Sequence, residues 1–255
     1  MEQILKLENI NHTYHTKQGE IFALSNLSFA VFEQEFVAIV GPSGCGKTSI
    51  LSLISGLIEQ DSGTITFYGK QDKKNLLDNI GYMFQKDHLF DWRTVYQNIM
   101  LGPEIQNLQK TIEFNNHINK LLTNYGLIEF KNNYPRQLSG GMRQRVALIR
   151  TLALNPKILL LDEPFSALDY QTRLKVSVDV SNIIASEKKT AILVTHDIAE
   201  AISMADRVIV LTKRPGTIKT IFEIPLKKYG TPLKRRECPE FQPLFDKIWE
   251  ALQNE

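Results

Sequence analysis

The sequence predicts an α/β protein in which helices cover both faces of a mainly parallel sheet. Short apolar runs alternate with helical patterns along most of the chain. Because these runs have no polar face, they are typical of strands that are buried on both sides. A glycine-rich stretch, "GPSGCGKTSIL" at 41–51, directly follows one such run and opens a helix. Together these observations favour an α/β core.

The predicted strands are distributed along the whole chain. From Ile4 to Phe36 the alternation in "IFALSNLSFAVF" predicts antiparallel strands at one edge, which would form an antiparallel β subdomain. Later runs predict the strands that alternate with helices: "FVAIV" (36–40), "TITFY" (64–68), "IGYMF" (80–84), "KILLLD" (157–162), "TAILVT" (190–195) and "RVIVLT" (207–212). A helix is predicted from Thr48, after the first of these runs.

Between Gln85 and Pro156 the sequence has no convincing strand pattern. The segments "TVYQNIML", "TIEFNNHINKLLTNYG" and "SGGMRQRVALIRTLAL" have helical patterns instead. We therefore predict one large domain over residues 1–225 with a helical subdomain inserted at about 86–155. Residues 226–255 are predicted to form a C-terminal tail that ends in an amphipathic helix, "EFQPLFDKIWEALQ".

Composition sets broad limits on function. The chain has 255 residues, 43% of them hydrophobic, and a net charge of +2, so it has a sizeable core and no strong electrostatic field. Cys45 and Cys238 have no metal-like spacing, which favours a reducing compartment such as the cytosol. The N-terminus "MEQILKLENI" is not typical of a signal peptide, and no apolar run reaches the length of a spanning helix.

The basic pairs and triplets near the C-terminus have two interpretations. Lys227 and Lys228, and the triplet at 234–236, are typical of solvated tail residues. Contact with lipid headgroups is the alternative.

The stretch that follows "FVAIV" matches the phosphate-binding pattern G-x-x-x-x-G-K-[ST]. Backbone N–H groups of such a loop and the following helix N-terminus bind anions. Lys47 is expected to reach the β- and γ-phosphates, and the Thr48 hydroxyl to ligate Mg²⁺. The predicted nucleotide-binding residues here are Gly41, Pro42, Ser43, Gly44, Cys45, Gly46, Lys47, Thr48 and Ser49. For Cys45 we favour a small residue that contributes its backbone N–H over a reactive thiol.

A second motif, "ILLLDEP", places two carboxylates at the end of a buried strand. Open α/β sheets bind ligands at this end of their strands. Asp162 is expected to help hold Mg²⁺, and Glu163 to orient or deprotonate the attacking water. The alternative is a strand end whose acids simply face solvent.

With "QLSGGMRQR" at 137–145, the chain resembles the ATP-binding subunit of ATP-binding cassette (ABC) transporters, in motif order over nearly all of residues 4–225. The resemblance implies ATP and Mg²⁺ as cofactors. It identifies Leu138–Met142 as the signature motif, Gln85 as the Q-loop glutamine, "SALD" (166–169) as the D-loop and His196 as the switch histidine. Tyr14 matches the aromatic residue that stacks on adenine.

The resemblance also implies roles for these residues. Glu163, His196, Lys47 and Gln85 are expected to be catalytic; Tyr14, Ser139, Gly140, Gly141 and Asp169 are expected to bind nucleotide; and Thr48, Gln85 and Asp162 are expected to hold the metal. Packing or capping remains the alternative for His196 and Tyr14. The family commonly has Gln at position 142, where Met142 cannot complete a capping box with Ser139.

The partners implied by the resemblance are a second copy of the chain, two membrane-spanning permease subunits and, indirectly, a solute-binding protein, with no nucleic acid. In the family, ATP on one P-loop is closed by the signature motif of the second copy. The expected location is the cytoplasmic face of the inner membrane, as a peripheral subunit. "KDHLFDWRTVYQNIMLG" (86–102) corresponds to a groove that receives a permease helix, although Phe90 and Trp92 could instead fill the helical subdomain's core.

The amino-acid sequences of several segments look most like those of the nitrate, sulfonate and taurine importer branch. That branch also includes uptake systems for pyrimidine precursors and riboflavin-type solutes. The alternatives are a soluble ABC protein not coupled to transport, a P-loop kinase or GTPase, and a non-enzymatic binding module. The guanine-reading N-K-x-D pattern is absent from the sequence, and a kinase or GTPase would leave "LSGGM" unexplained.

Overall fold

The structure is a computed structural model that describes residues 2–108 and 111–253. Its strands are β1 (Gln3–Thr16), β2 (Gly19–Phe32), β3 (Phe36–Val40), β4 (Ser62–Phe67), β5 (Ile80–Met83), β6 (Ile158–Asp162), β7 (Thr190–Val194), β8 (Arg207–Leu211) and β9 (Ile218–Glu223). Its α-helices are α1 (Lys47–Ile54), α2 (Lys73–Asp78), α3 (Val95–Ile99), α4 (Leu101–Ile105), α5 (Ile112–Asn124), α6 (Gly140–Leu152), α7 (Tyr170–Ser186), α8 (Ile198–Met204), α9 (Pro232–Arg236) and α10 (Phe241–Gln253).

The main sheet has six strands in the order β5-β6-β7-β3-β8-β9. The first five are mutually parallel, and β9 pairs antiparallel with β8. Every residue of β3, β6 and β7 is buried, as expected for strands covered on both faces. The predicted mainly parallel α/β core is confirmed, and its carboxyl edge gathers the ends of β3, β5, β6 and β7.

A second, antiparallel sheet has the order β2-β1-β4. The strand predicted at 64–68 lies here rather than among the parallel strands: β4 runs antiparallel to β1, with Leu5 opposite Phe67 and Leu7 opposite Ile65. This part of the prediction was wrong because a short apolar run does not encode its pairing partner. The early strands, expected at one edge, form this separate sheet together with β4.

Two apolar cores flank the main sheet. One core joins the antiparallel sheet, α1 and one face of the main sheet, and includes Leu5, Leu27 and Ile50. The other lies on the opposite face under the remaining large helices, and includes Val146 and Leu161. The main sheet is therefore the shared layer that fixes β1, β2 and the P-loop relative to the helical region.

Helices dominate the region between β5 and β6. Within the described residues of this region, α3–α6 and two 3₁₀ turns (Ile128–Phe130 and Pro135–Gln137) are present and no strand is formed. A capping box between Thr94 and Gln97 starts α3. This agrees with the helical pattern of the sequence; the subdomain boundaries at about 86–155 remain a prediction.

The C-terminal segment packs on the body of the protein. Ile248 of α10 is fully buried, and α10 contacts α8, β8 and β9. Arg235 donates from Nε to the Gly230 carbonyl (2.9 Å) and from Nη1 to the Met204 carbonyl (3.2 Å), the last residue of α8. The predicted terminal helix is thus present and its apolar face is covered by the domain. None of the helices in the described ranges has the length and apolarity needed to cross a membrane.

Candidate nucleotide-binding site

The glycine-rich loop connects buried strand β3 to helix α1. Gly46 has a φ of 101°, a conformation that favours glycine, and a Cβ there would lie 2.6 Å from Leu24 Cδ2. Lys47 Nζ donates to the carbonyl oxygens of Gly41 (2.8 Å) and Pro42 (3.0 Å). The Cys45 thiol is buried, its backbone N–H donates to the Pro42 carbonyl (3.3 Å), and burial raises its pKa. The loop is therefore closed by its own lysine.

The carboxylate of Asp162, at the end of β6, accepts hydrogen bonds from two hydroxyl groups. The Thr48 hydroxyl donates to Asp162 Oδ1 at 3.2 Å, and the Tyr82 hydroxyl donates to Asp162 Oδ2 at 3.1 Å. Burial raises the pKa of Asp162, while the hydrogen bonds from Tyr82 and Thr48 lower it. One hydroxyl and one carboxylate are the ligand types that Mg²⁺ takes when substrate phosphates and water complete its shell.

The donor set therefore fits a phosphate-bound magnesium ion. Groups of three or more His, Cys, Asp or Glu side chains that could hold a metal without a substrate do not occur in the described part of the chain. The predicted third ligand, Gln85, does not contact Thr48 or Asp162 but lies beside Glu163.

Glu163 is the next residue after β6 and forms the centre of a small polar cluster. Its φ is 44°, and its N–H donates to the Val194 carbonyl (2.9 Å), which fixes the backbone against β7. Its Oε2 lies 3.1 Å from His196 Nδ1 and accepts from Gln85 Nε2 at 3.4 Å. Gln85 Nε2 also donates to Ser166 Oγ at 3.2 Å. The structure thus brings together three residues that the sequence places at the ends of three different strands.

A pocket of about 640 Å³ runs across the loop. Its lining comes from the antiparallel sheet, the loop and helix start, and the carboxyl edge of the main sheet: Tyr14, Ile21, Ala23, Ser43, Gly44, Gly46, Lys47, Thr48, Ser49, Glu163, His196 and Arg214. The predicted loop residues Gly41, Pro42 and Cys45 are not among the lining residues. The pocket combines an aromatic end, backbone donors and a polar cluster.

Tyr14 marks the aromatic end of the pocket. It lies in β1, and its hydroxyl hydrogen-bonds with Ser49 Oγ of α1 at 3.0 Å. The His12 ring packs edge-on against it with a centroid distance of 4.6 Å. The ring is therefore oriented by contacts on two sides while part of it stays accessible.

The signature residues lie at a helix start elsewhere in the molecule. Ser139 is the N-cap of α6, and its side chain accepts from the Met142 N–H at 3.3 Å. Gly141 packs tightly on α7, since a Cβ there would lie 2.9 Å from Val176 Cγ2. Asp169 caps α7 by accepting from Thr172 N–H at 3.0 Å; hydrogen bonding to the Thr172 side chain and to this N–H lowers the pKa of Asp169. Neither Ser139, Gly140, Gly141 nor Asp169 is among the residues that line the pocket.

Sequence reasoning missed several residues of this site. Tyr82 reaches Asp162 because β5 pairs with β6, and Arg214 enters the pocket from the loop after β8. Ile21 and Ala23 line it because β2 pairs with β1. All four depend on long-range strand pairing, for which a single sequence carries no local signal.

Comparison with known proteins identifies the family. The family model described as "ABC transporter" matches residues 24–166, which is more than half of the chain. An uncharacterised ABC transporter ATP-binding protein, YtlC of Bacillus subtilis, is 44% identical over 251 residues, which cover 98% of this chain and 96% of that protein.

Two further relatives have names that state a transport role. The nitrate import ATP-binding protein NrtD of Synechocystis is 40% identical, with 98% of this chain and 95% of that protein covered. The taurine import ATP-binding protein TauB of Ruegeria pomeroyi is 36% identical, with 91% and 87% covered.

Solved structures show the same fold. A dimeric structure of MJ0796, described as a bacterial ABC transporter cassette, has a TM-score of 0.74 and 33% identity, and the alignment covers 87% of this chain and 99% of that one. A second MJ0796 dimer, in a post-hydrolysis state bound to ADP and phosphate, has a TM-score of 0.70 and 32% identity, with the same coverage. The resemblance inferred from "LSGGM" and the P-loop is confirmed: this chain belongs to the ABC transporter family and is an ATP-binding ABC ATPase.

Proposed function

We propose that the chain is the ATP-hydrolysing subunit of an importer for a small solute and works as a homodimer beneath two membrane subunits. The observation that carries this proposal is the separation of two anion-binding elements. The P-loop pocket contains Lys47, Glu163 and His196 but not the signature residues Ser139–Gly141. A helix N-terminus with a serine cap and two glycines is suited to phosphate. In the proposed dimer, a second copy placed head to tail supplies that element to each pocket. Support comes from MJ0796, a cassette of the same fold whose structure is dimeric.

The pocket residues have distinct proposed roles. Lys47 leaves its loop carbonyls to hold the β- and γ-phosphates, and Tyr14 stacks on the base. Glu163 accepts the proton of the attacking water or orients it, and His196, 3.1 Å from Glu163, reaches the γ-phosphate. Gln85 links this cluster to the helical region, because it follows β5.

Thr48 and Asp162 are proposed to hold Mg²⁺. When bound, the ion neutralises charge that develops on the transferred phosphoryl group. The proposal rests on the hydroxyl–carboxylate pair 3.2 Å apart beside Lys47.

The sandwich is tested by stopping catalysis while leaving the pocket intact. Glu163→Gln removes the base but keeps the size and polarity of the side chain. ATP should then shift the purified variant from monomer to dimer on size exclusion with light scattering, and turnover should fall at least about 100-fold. Normal hydrolysis by this variant would remove Glu163 from its role.

A matched double variant separates pocket and signature functions. Adding Ser139→Arg to Glu163→Gln should abolish ATP-induced dimerisation, because Ser139 lies outside the pocket, while binding of a fluorescent ATP analogue to the monomer stays within about twofold. Loss of nucleotide binding by the added substitution would contradict the two-chain site.

Exposed aromatic residues after β5 support coupling to a membrane subunit. The Phe84 and Trp92 side chains are 42% and 73% exposed, and the Trp92 ring lies 4.8 Å from that of the half-buried Phe90. Buried Asn98 holds this loop, accepting from Phe90 N–H (2.7 Å) and donating to the Phe90, Arg93 and Thr94 carbonyls. Trp92 does not fill the core, so it is available to an apolar helix of a permease.

Co-purification tests this surface. The genes for the candidate permease are expressed with wild type, Trp92→Ala or Trp249→Ala. Trp249 is the control because it is also well exposed, at 49%, but lies on α10. Trp92→Ala should lose most of the recovered permease while keeping ATP binding, and Trp249→Ala should not. Wild type that never associates with a membrane protein would favour the soluble ABC alternative.

We propose a nitrate-, sulfonate- or taurine-like solute delivered by a separate binding protein, with the chain on the cytoplasmic face of the membrane. Support comes from relatives named for nitrate and taurine import. Uptake of radiolabelled taurine and nitrate by vesicles containing the complete system tests the solute. Transport of a pyrimidine precursor alone would replace this assignment without affecting the ATPase.

A further inference from the structure

The loop between β8 and β9, residues 212–217, is closed on itself. Thr212 N–H donates to the Thr217 carbonyl (3.0 Å), and Thr217 N–H donates to the Thr212 hydroxyl oxygen (3.0 Å). The Thr212 hydroxyl is also 3.0 Å from Thr217 Oγ1. These contacts give the loop a defined shape although it is on the surface.

The same loop is hydrogen-bonded to β2 and packs on the P-loop. Gly216 N–H donates to the Ala23 carbonyl (2.9 Å), and Ser25 N–H donates to the Gly216 carbonyl (3.1 Å). A Cβ at Gly216 would lie 2.1 Å from the Cys45 carbonyl oxygen, so only glycine allows this approach to the P-loop. Arg214 lies two residues earlier in this loop, so its backbone position is fixed by the hydrogen bonds to β2 and by the packing on the P-loop.

Arg214 differs from the other basic residues of the pocket in its contacts. Lys47 Nζ is held by two carbonyls, and His196 Nδ1 lies 3.1 Å from the Glu163 carboxylate. Arg214 is exposed and lines the pocket, and among the described residues it has no hydrogen-bond or ion-pair partner. Its five N–H donors are therefore available to an anion that enters.

The position of the loop indicates which part of a nucleotide Arg214 meets. Tyr14 and Ile21 are opposite each other at the aromatic end, while Glu163 and His196 form the far polar end. The loop is bonded to β2 at Ala23 and Ser25, and it packs against the phosphate-binding P-loop at Cys45. The middle of the pocket is where the α- and β-phosphates of a nucleotide lie if its base is on Tyr14.

We propose that Arg214 is a nucleotide-binding residue whose guanidinium contacts the α- and β-phosphates, and that the 212–217 loop exists to hold it there. The inference rests on the proposed assignment of this pocket to nucleotide. It adds a second cation, from a separate part of the chain, to the lysine of the P-loop. Because ATP and ADP share the α- and β-phosphates, the contact should serve both nucleotides equally.

Calorimetric titration of the full chain with Mg-ADP, and of the Glu163→Gln chain with Mg-ATP, tests the proposal. Arg214→Ala should weaken both nucleotides about tenfold or more, the usual effect of losing hydrogen bonds to a charged group. Arg214→Lys should recover part of the loss, since the charge remains but the planar fork does not. Lys213→Ala, which removes the adjacent charge outside the pocket lining, should change affinity less than about twofold.

Each other outcome overturns the assignment. Unchanged ADP affinity in Arg214→Ala excludes a phosphate contact in the single chain, and loss confined to ATP places the guanidinium at the γ-phosphate. Equal weakening of adenosine, titrated as a probe without phosphates, places it on the base. Normal nucleotide binding with impaired ATP-induced dimerisation makes Arg214 an interface residue.

Lys47→Ala separates this inference from the proposed site. That substitution should abolish ADP binding whatever Arg214 does. If Lys47→Ala binds ADP normally, the pocket assignment itself fails; if only Arg214→Ala does so, the pocket stands and the arginine is excluded.

Discussion

Asp162 shows opposing effects at a single carboxylate. Burial at the end of β6 raises its pKa, and the hydroxyls of Tyr82 and Thr48 work in the other direction by hydrogen-bonding to the ionised form. A divalent cation beside Thr48 would favour that ionised form further. The residue is thus held in place by neighbours that tolerate its charge.

Glu200 is a second carboxylate whose pKa is raised by burial. It lies in the first turn of α8, is buried, and burial raises its pKa to about 7. Asp197 adds to this shift, whereas Thr195, Arg173 and Arg236 oppose it. Because the folded pKa exceeds the unfolded value, the folded state binds more protons between about pH 4.5 and 7.

We therefore expect wild type to lose stability as pH rises through that window, relative to Glu200→Gln. A shift of this size corresponds to a loss of up to about 3 kcal/mol. Urea unfolding of both proteins at pH 5 and pH 8 measures it, and the difference between the two proteins cancels other titrating groups. A difference that stays constant with pH would show that Glu200 ionises normally.

Met142 is the departure from the family's common signature. Its N–H is satisfied by Ser139, but its side chain cannot return a hydrogen bond to the Ser139 N–H. Met142→Gln should improve the cap of α6 slightly and leave the ATPase rate within about tenfold, because the proposed phosphate donors are Ser139 and the backbone. A steady-state ATPase assay decides; a larger change would assign the side chain at 142 a part in turnover.

At the scale of elements, prediction succeeded where a strand is buried on both faces. The runs that became β3, β6 and β7 are wholly apolar and wholly buried, so pattern and structure coincide. β9 was missed because it is an edge strand whose residues alternate between half-buried and exposed, with Lys219 and Glu223 on the exposed side. β4 was assigned to the wrong sheet because pairing with β1 is decided by tertiary contacts.

The terminal helix α10 is expected to be part of the fold rather than a free tail. Ile248→Ala should destabilise the protein by about 2–5 kcal/mol, because Ile248 is fully buried against the helix-covered core. Lys247→Ala, its exposed neighbour, should cost less than about 0.5 kcal/mol. Chemical denaturation measures both; equal effects would mean that α10 is not docked in solution.

At the scale of the whole molecule, the motif residues of the candidate site could be predicted from the sequence. The other residues that surround the pocket could not. Lys47, Thr48, Asp162, Glu163 and His196 belong to motifs, and the structure gathers them at one edge of the main sheet, where Asp162 accepts a hydrogen bond from Thr48 and the other four line the pocket. Arg214 and Tyr82 belong to no motif, and strand order alone brings them in. Functional residues within a short motif can be predicted from that stretch of sequence. The residues that line a pocket depend on which strands become neighbours in the fold.

A two-chain site has a kinetic consequence for the whole molecule. If the pocket of one chain needs the signature of another, ATP turnover per chain should rise with protein concentration and level off once dimers dominate. Assays over a hundredfold dilution series, with the oligomeric state followed in parallel, check this. A rate per chain that does not change while the protein is verified as monomer would refute the homodimer.

The bonds from Lys47 to the carbonyls of Gly41 and Pro42 have a consequence for how the loop takes up an anion. The ammonium group joins two carbonyls of the glycine-rich turn and so holds the turn in its curved shape. When an anion binds, Lys47 exchanges the two carbonyl oxygens for the anion. The loop does not have to fold around the anion, because it already has its shape. Phosphate binding should therefore be fast, because the loop loses little conformational entropy when the anion binds.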